Sequence, residues 1–154
     1  MGRTATLLGM LAVCSFSVSA EERAAEAQPY DTVRIQVMAI AASNVGTCDP
    51  QVAFLRPRLR RVLNYRSFRL LSDTWRDVAW QDTAAFALAG GTRLMLLPKG
   101  REAQQVVLQV RLLDGRRALV DTVVRLRNQG YMVFGVERDP SAEEALLVVL
   151  RAED

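Results

Sequence analysis

The chain of 154 residues carries 20 basic and 17 acidic side chains, a formal net charge of +3, and no histidine. Without histidine the commonest general base and the commonest transition-metal ligand are missing, which excludes His-based catalytic triads and ordinary zinc sites. Every basic residue except Lys99 is arginine, and the arginines are interspersed with acids, so the small positive excess argues weakly for nucleic acid as a partner and an exported address argues against it.

The first segment supplies that address. "MGRTATLLGMLAVCSFSVSA" places Arg3 before an apolar run from Leu7 to Val13 and ends in Val18-Ser19-Ala20 ahead of Glu21-Glu22. This is the charged, apolar and small-residue order of a secretory signal peptide, and it predicts cleavage after Ala20. The apolar run is far shorter than the ~20 residues that span a bilayer, so no transmembrane segment is expected after cleavage. Leu11-Ala12-Val13-Cys14 offers an alternative, a lipoprotein anchored at Cys14, although Val13 stands where Gly or Ala is usual. The expected organisation is a signal peptide over 1–20, a flexible leader over 21–31 and a single α+β domain over 32–154.

In "TVRIQVMAIAA" Val33, Ile35, Val37 and Ala39 alternate with Arg34, Gln36 and Met38, the period of a strand buried on one face at first and on both towards its end. "SNVG" supplies turn residues. Asp49-Pro50 then reads as a helix start, a capping carboxylate followed by proline in the first turn. Val52, Leu55, Leu59, Val62 and Leu63 share one helical face, while Pro57 requires a kink or a regular helix that begins near Arg56.

"SFRLLSD" reads as the next strand, so that a strand-helix-strand unit forms whose two strands lie parallel or apart in the sheet. From Asp73 on, short β segments follow: "AAFALA" and "TRLMLLP" across Gly90-Gly91, then "QQVVLQVRLL" and "RRALVDTVVRL" across Asp114-Gly115. Asn128-Gln129-Gly130 leads to "YMVFGVE", and the turn "RDPSA" to "EEALLVVLR". Asp-Gly predicts a type I′ hairpin, and the consecutive apolar residues of "LMLLP" predict a strand covered on both faces. The expected fold is α+β: a strand-helix-strand unit followed by a mainly antiparallel β meander.

Few residues suggest chemistry. Cys48 stands near a helix N-terminus, a place that can activate a thiol, but Asp49 opposes the helix dipole and no histidine can take the proton. Cys48 is therefore read as a small residue packed under its loop, with an intermolecular disulfide or a reactive thiol as alternatives, and Asp49 as a helix cap. The glycine spacing of the same loop is too sparse for a phosphate cradle.

Arg58, Arg60 and Arg61 form a solvated helix face that an acidic partner could contact. Trp75 and Trp80, with Asp73, Asp77 and Asp82 nearby, are the candidate ligand contacts, although a regular strand would put the two rings on opposite faces. No catalytic, metal-binding or cofactor-binding residues are assigned.

"ASNVGTCDPQVAFLRPRLRRVLNYRSFRLLS", with the signal peptide and the β-rich tail, resembles small exported proteins of unknown function from Gram-negative bacteria. Ser43-Asn44-Val45-Gly46, Asp49-Pro50 and Tyr65 to Leu71 carry that resemblance, which brings no activity with it. Residues 126–153 are similar to the terminal hairpin of secretin cores, with Gly135 where two glycines are usual, and this likeness implies an accessory envelope domain. The expectation is thus an exported, noncatalytic periplasmic or secreted protein that contacts an envelope protein. The alternatives are a binder of a small molecule or glycan through Trp75 and Trp80, and, behind it, an enzyme using carboxylates or Cys48. The sequence leaves partner and oligomeric state open.

Overall fold

The computed structural model describes residues 32–136 and 143–154, with Val62 described by its backbone alone. The expected signal peptide, the leader, Cys14, the Val62 side chain and the turn Arg138–Ala142 lie outside the described residues. Strand accounts for 66% of the structure and helix for 10%, so the class is mainly antiparallel β, and the α+β expectation is corrected to a β fold with a small helical cover.

Among the described residues eight strands form two sheets: β1 (Thr32–Ser43), β2 (Ser67–Ala79), β3 (Ala84–Ala87), β4 (Thr92–Glu102), β5 (Gln105–Asp114), β6 (Arg117–Arg127), β7 (Tyr131–Val136) and β8 (Glu144–Glu153). The first sheet runs β2-β1-β8-β7 and the second β3-β4-β5-β6, with every pair antiparallel. The expected meander is therefore β3 to β6, while the last hairpin returns to pair with β1.

Period-two alternation explains the layers. Val33, Ile35, Val37 and Ala39 of β1 and Leu146, Val148, Leu150 and Ala152 of β8 face the second sheet, where Leu94, Leu96, Leu108, Val110 and Leu112 meet them in one continuous core. The other face of β1 and β8, with Met38, Ile40, Ala42, Leu147 and Val149, packs under Val52, Leu55 and Leu59 of the helical segment. β1 is thus buried on both faces from Ile35 onward, as its sequence predicts, with the helical segment packed over its outer face from Met38 on.

The helical segment is a single turn of 3₁₀ helix (Pro50–Val52) followed by α1 (Arg56–Val62). Pro57 lies within the first two positions of α1, where its missing N–H costs no hydrogen bond, so the helix begins at Arg56 rather than kinking. Asp49 caps the 3₁₀ turn by accepting from the Gln51 N–H at 3.1 Å.

The strand-helix-strand reading places its strands wrongly. β1 and β2 are antiparallel neighbours, and the segment between them folds back over the outer face of their own sheet. Its ends are tied: the Arg66 N–H donates to the Ser43 carbonyl at 3.1 Å, and the Ser67 hydroxyl donates to the Val45 carbonyl at 2.9 Å. These bonds close the connection as a long hairpin, for which a helix is no obstacle.

Two further expectations change. Leu94, Leu96 and Pro98 of β4 point into the core, but Met95 and Leu97 are only half-buried on the outer face, so "LMLLP" is not covered on both sides. Pro98 is tolerated because the register shifts beside it, between Pro98 and Gly100. At the β5–β6 turn Asp114 pairs with Arg117 as the last strand residue, and Gly115, at φ +58°, supplies the positive φ in place of a two-residue Asp-Gly turn. Arg76 links the sheets at one edge, donating from Nη1 to the Ala85 carbonyl at 2.9 Å with its guanidinium 4.7 Å from the Phe86 ring centroid.

Candidate functional site

The helical segment covers only part of the outer face of the first sheet. Beyond its edge the antiparallel register aligns one residue from each strand: Trp75 opposes Gln36, Gln36 opposes Arg151, and Arg151 opposes Tyr131. Cross-strand partners share a face, so the four side chains form one rung across β2, β1, β8 and β7. The adjacent rung towards the helix is Asp73, Met38, Val149 and Val133. Phe54, from the turn between the 3₁₀ helix and α1, overhangs this surface, and with Gln36, Met38, Asp73, Trp75, Tyr131 and Arg151 it lines an open cleft of about 610 Å³.

The rung is ordered by cation–aromatic contacts. The Arg151 guanidinium lies 5.7 Å from the Trp75 ring centroid and 5.4 Å from that of Tyr131, and Arg34 lies 4.9 Å from Trp75. Tyr131 in turn meets Phe54 with centroids 5.8 Å apart and planes inclined by 53°. Arg151 is held further by Glu153 at 2.6 Å, while its Nε is buried and has no hydrogen-bond partner among the described residues. Gln36, nearly fully buried, donates from Nε2 to Asp73 Oδ1 at 2.8 Å.

The cleft therefore combines aromatic walls with a polar floor of amide, carboxylate and guanidinium. Phe54 is 54% exposed and Trp75 36%, unusually open for rings of their size beside a polar floor. Apolar walls with a few fixed polar groups, and a volume of this size, are features that ligand-binding clefts share. A second hollow of about 820 Å³ lies at the β4–β5 turn; of its charged groups Arg101 and Asp154 pair with each other and Arg127 does not pair among the described residues, and no aromatic ring lines it.

Of the residues singled out in the sequence, Trp75 and Asp73 enter the cleft. Trp80 does not: it packs at the inter-sheet core, with the Arg101 guanidinium 5.4 Å from its ring centroid, so the two tryptophans share no surface. Asp77 opposes Arg34 on β1, and Asp82 accepts from the Thr83 N–H at 2.9 Å. β2 runs on to Ala79, past the end of the strand read from "SFRLLSD", so that Asp73 and Asp77 both lie within it.

Arg58, Arg60 and Arg61 are exposed on α1 and form no ion pair among the described residues. Cys48 is partly buried against the core under the helical segment, its thiol directed at the Asp49 carbonyl at 3.8 Å. Its loop is closed by Ser43, Ser67 and the Val45 carbonyl, with Gly46 at φ +97°. Gln36, Phe54, Tyr131 and Arg151 were not singled out in the sequence. They come from four separate segments, and only the sheet register brings them together.

Among the described residues no group of His, Cys, Asp or Glu side chains is arranged to hold a metal ion, and no helix is long and apolar enough to cross a membrane. No protein family, curated protein or solved structure matches the chain.

Proposed function

We propose that the protein is an exported, noncatalytic binding module of the cell envelope, and that the cleft on the outer face of the first sheet is its recognition surface. The rung Trp75, Gln36, Arg151 and Tyr131 carries this reading. Its polar groups are already oriented by neighbours, Arg151 by Glu153 and two rings, Asp73 by Gln36, which is how a site is preorganised to bind. Export rests on the signal-peptide pattern of residues 1–20.

A photoreactive phenylalanine analogue in place of Phe54, introduced in cells at native expression, tests the site. A reproducible adduct at position 54, absent when the analogue replaces Val123 on the outer face of the second sheet, is the expected result. Equal labelling at both positions, or none at position 54, refutes it. N-terminal sequencing of the same material reads the address: Glu21 as first residue supports cleavage after Ala20, and a lipidated Cys14 replaces it with an anchored lipoprotein.

A second reading is favoured by one observation, the three exposed arginines of α1, which form no ion pair among the described residues. In it the module grips an acidic envelope protein through Arg58, Arg60 and Arg61. Changing all three to glutamate would abolish the association, and an unaltered set of adducts disposes of this reading.

A further inference from the structure

We infer that the ligand of the cleft is a neutral oligosaccharide, an inference that rests on the binding-module reading above and gives its ligand a chemistry. The cleft lies on the face of a sheet: the backbone groups of β1 and β8 are paired on both sides, and the unpaired groups of the edge strands β2 and β7 point outward in the plane of the sheet, away from the cleft floor. Recognition there falls to side chains. An extended peptide is ordinarily gripped by the free backbone groups of a sheet edge, which this floor does not offer.

The floor has matched unfilled capacity. Asp73 accepts one hydrogen bond, from Gln36, and among the described residues its other oxygen accepts none. Arg151 directs Nη2 at Glu153, its side chain stays partly exposed, and among the described residues its Nη1 donates to no acceptor, while its Nε is buried out of a ligand's reach. A ligand must therefore supply both donors and acceptors, as vicinal hydroxyls do.

Charge narrows the choice. An anion drawn to Arg151 would meet Asp73 and Glu153, and a cation drawn to Asp73 would meet Arg34 and Arg151 beside Trp75. A purely apolar chain would bury Asp73 and Arg151 without partners, which costs more than its own burial returns. A neutral sugar avoids all three penalties, and the C–H face of its ring can lie on Phe54, Tyr131 or the open part of Trp75. The rung from Trp75 to Tyr131 spans three strand spacings, about 14 Å, a length for several sugar rings rather than one.

Trp80→Phe leaves Trp75 as the one tryptophan reporter, since the chain has two. The purified full chain with this change is titrated separately with chitotriose, cellotriose and maltotriose up to millimolar concentration, following tryptophan emission and heat. The expected result is saturable binding of at least one trisaccharide, weakened roughly tenfold or more by Asp73→Asn or Tyr131→Ala and unchanged by Arg58→Glu.

No saturable response to any of the three overturns the inference, as does binding that neither cleft variant weakens. Saturable binding of dextran sulfate or an unmodified peptide pool, sensitive to Asp73→Asn while the sugars stay silent, also overturns it. That last outcome would leave the cleft as a binding site, whereas the binding-module reading itself stands or falls on the adduct at position 54. Circular dichroism of each variant confirms that the fold is retained.

Discussion

Gln36 and Asp73 are joined by a 2.8 Å hydrogen bond although they are diagonal neighbours in the register, Gln36 opposing Trp75 and Asp73 opposing Met38. Gln36 is almost completely buried, so its amide depends on this carboxylate. Asp73→Ala strands the amide and is expected to cost about 1–3 kcal/mol. The double variant Gln36→Leu, Asp73→Leu removes both partners and should recover most of that loss. Urea unfolding of the two variants checks the pair, and equal destabilisation would show that the bond is not what matters.

The β4–β5 turn is built from residues that do not favour it. Glu102 pairs with Gln105 across Ala103 and Gln104, and both central residues have positive φ, 47° and 64°. This is the geometry of a type I′ turn, for which Asn-Gly is preferred, and an ordinary side chain in the left-handed region costs roughly 1 kcal/mol. Replacing Ala103-Gln104 by Asn-Gly is therefore expected to raise stability by about 1 kcal/mol or more, measured as a higher urea midpoint at unchanged slope.

That turn also shows where sequence reading reaches its limit. Gly90-Gly91 and Asp114-Gly115 announce their hairpins because glycine tolerates the backbone a tight turn needs. Ala103-Gln104 carries no such mark, and the tertiary pairing of two strongly apolar strands imposes the turn on it. The alternation of Val33, Ile35 and Val37 reveals the strand and its buried face, but not that β2 would return antiparallel beside it, since connection length alone permits either direction. The cleft is less legible still. Gln36, Trp75, Tyr131 and Arg151 lie far apart along the chain and acquire a common surface only through three strand registers. Trp75 and Trp80 look paired in the sequence because they are close along the chain, yet the strand ends between them and the rings part.

Two glycines near the end of the chain should respond in opposite ways. A Cβ at Gly130 would lie 2.9 Å from the Arg127 carbonyl oxygen, a backbone atom in the crossover from one sheet to the other that cannot move alone. Gly130→Ala is expected to destabilise by about 1–3 kcal/mol. At Gly135 the nearest atom is the Leu147 Cδ2 at 3.7 Å, ordinary contact on the edge strand β7. Gly135→Ala removes unfolded-state freedom without a clash and should stabilise by about 0.5–1 kcal/mol. Thermal unfolding of the pair would expose a mistaken register around β7 if the signs were reversed.

The helical cover is held by a few side chains, and one of them controls the cleft wall. Leu55 is 2% exposed and sits in the core formed with Phe68, Leu147 and Val149, directly after the exposed Phe54. Leu55→Ala removes that anchor and is expected to cost about 2–5 kcal/mol. The loss falls on the cover rather than on the core between the sheets, to which Leu108 and Val110 of β5 belong. Amide exchange should therefore quicken over residues 50–62 while the amides of Leu108 and Val110 stay protected. Any ligand gripped by Phe54 should then be lost in step with the cover, so a Leu55→Ala protein that still binds at full strength would place the ligand elsewhere on the sheet.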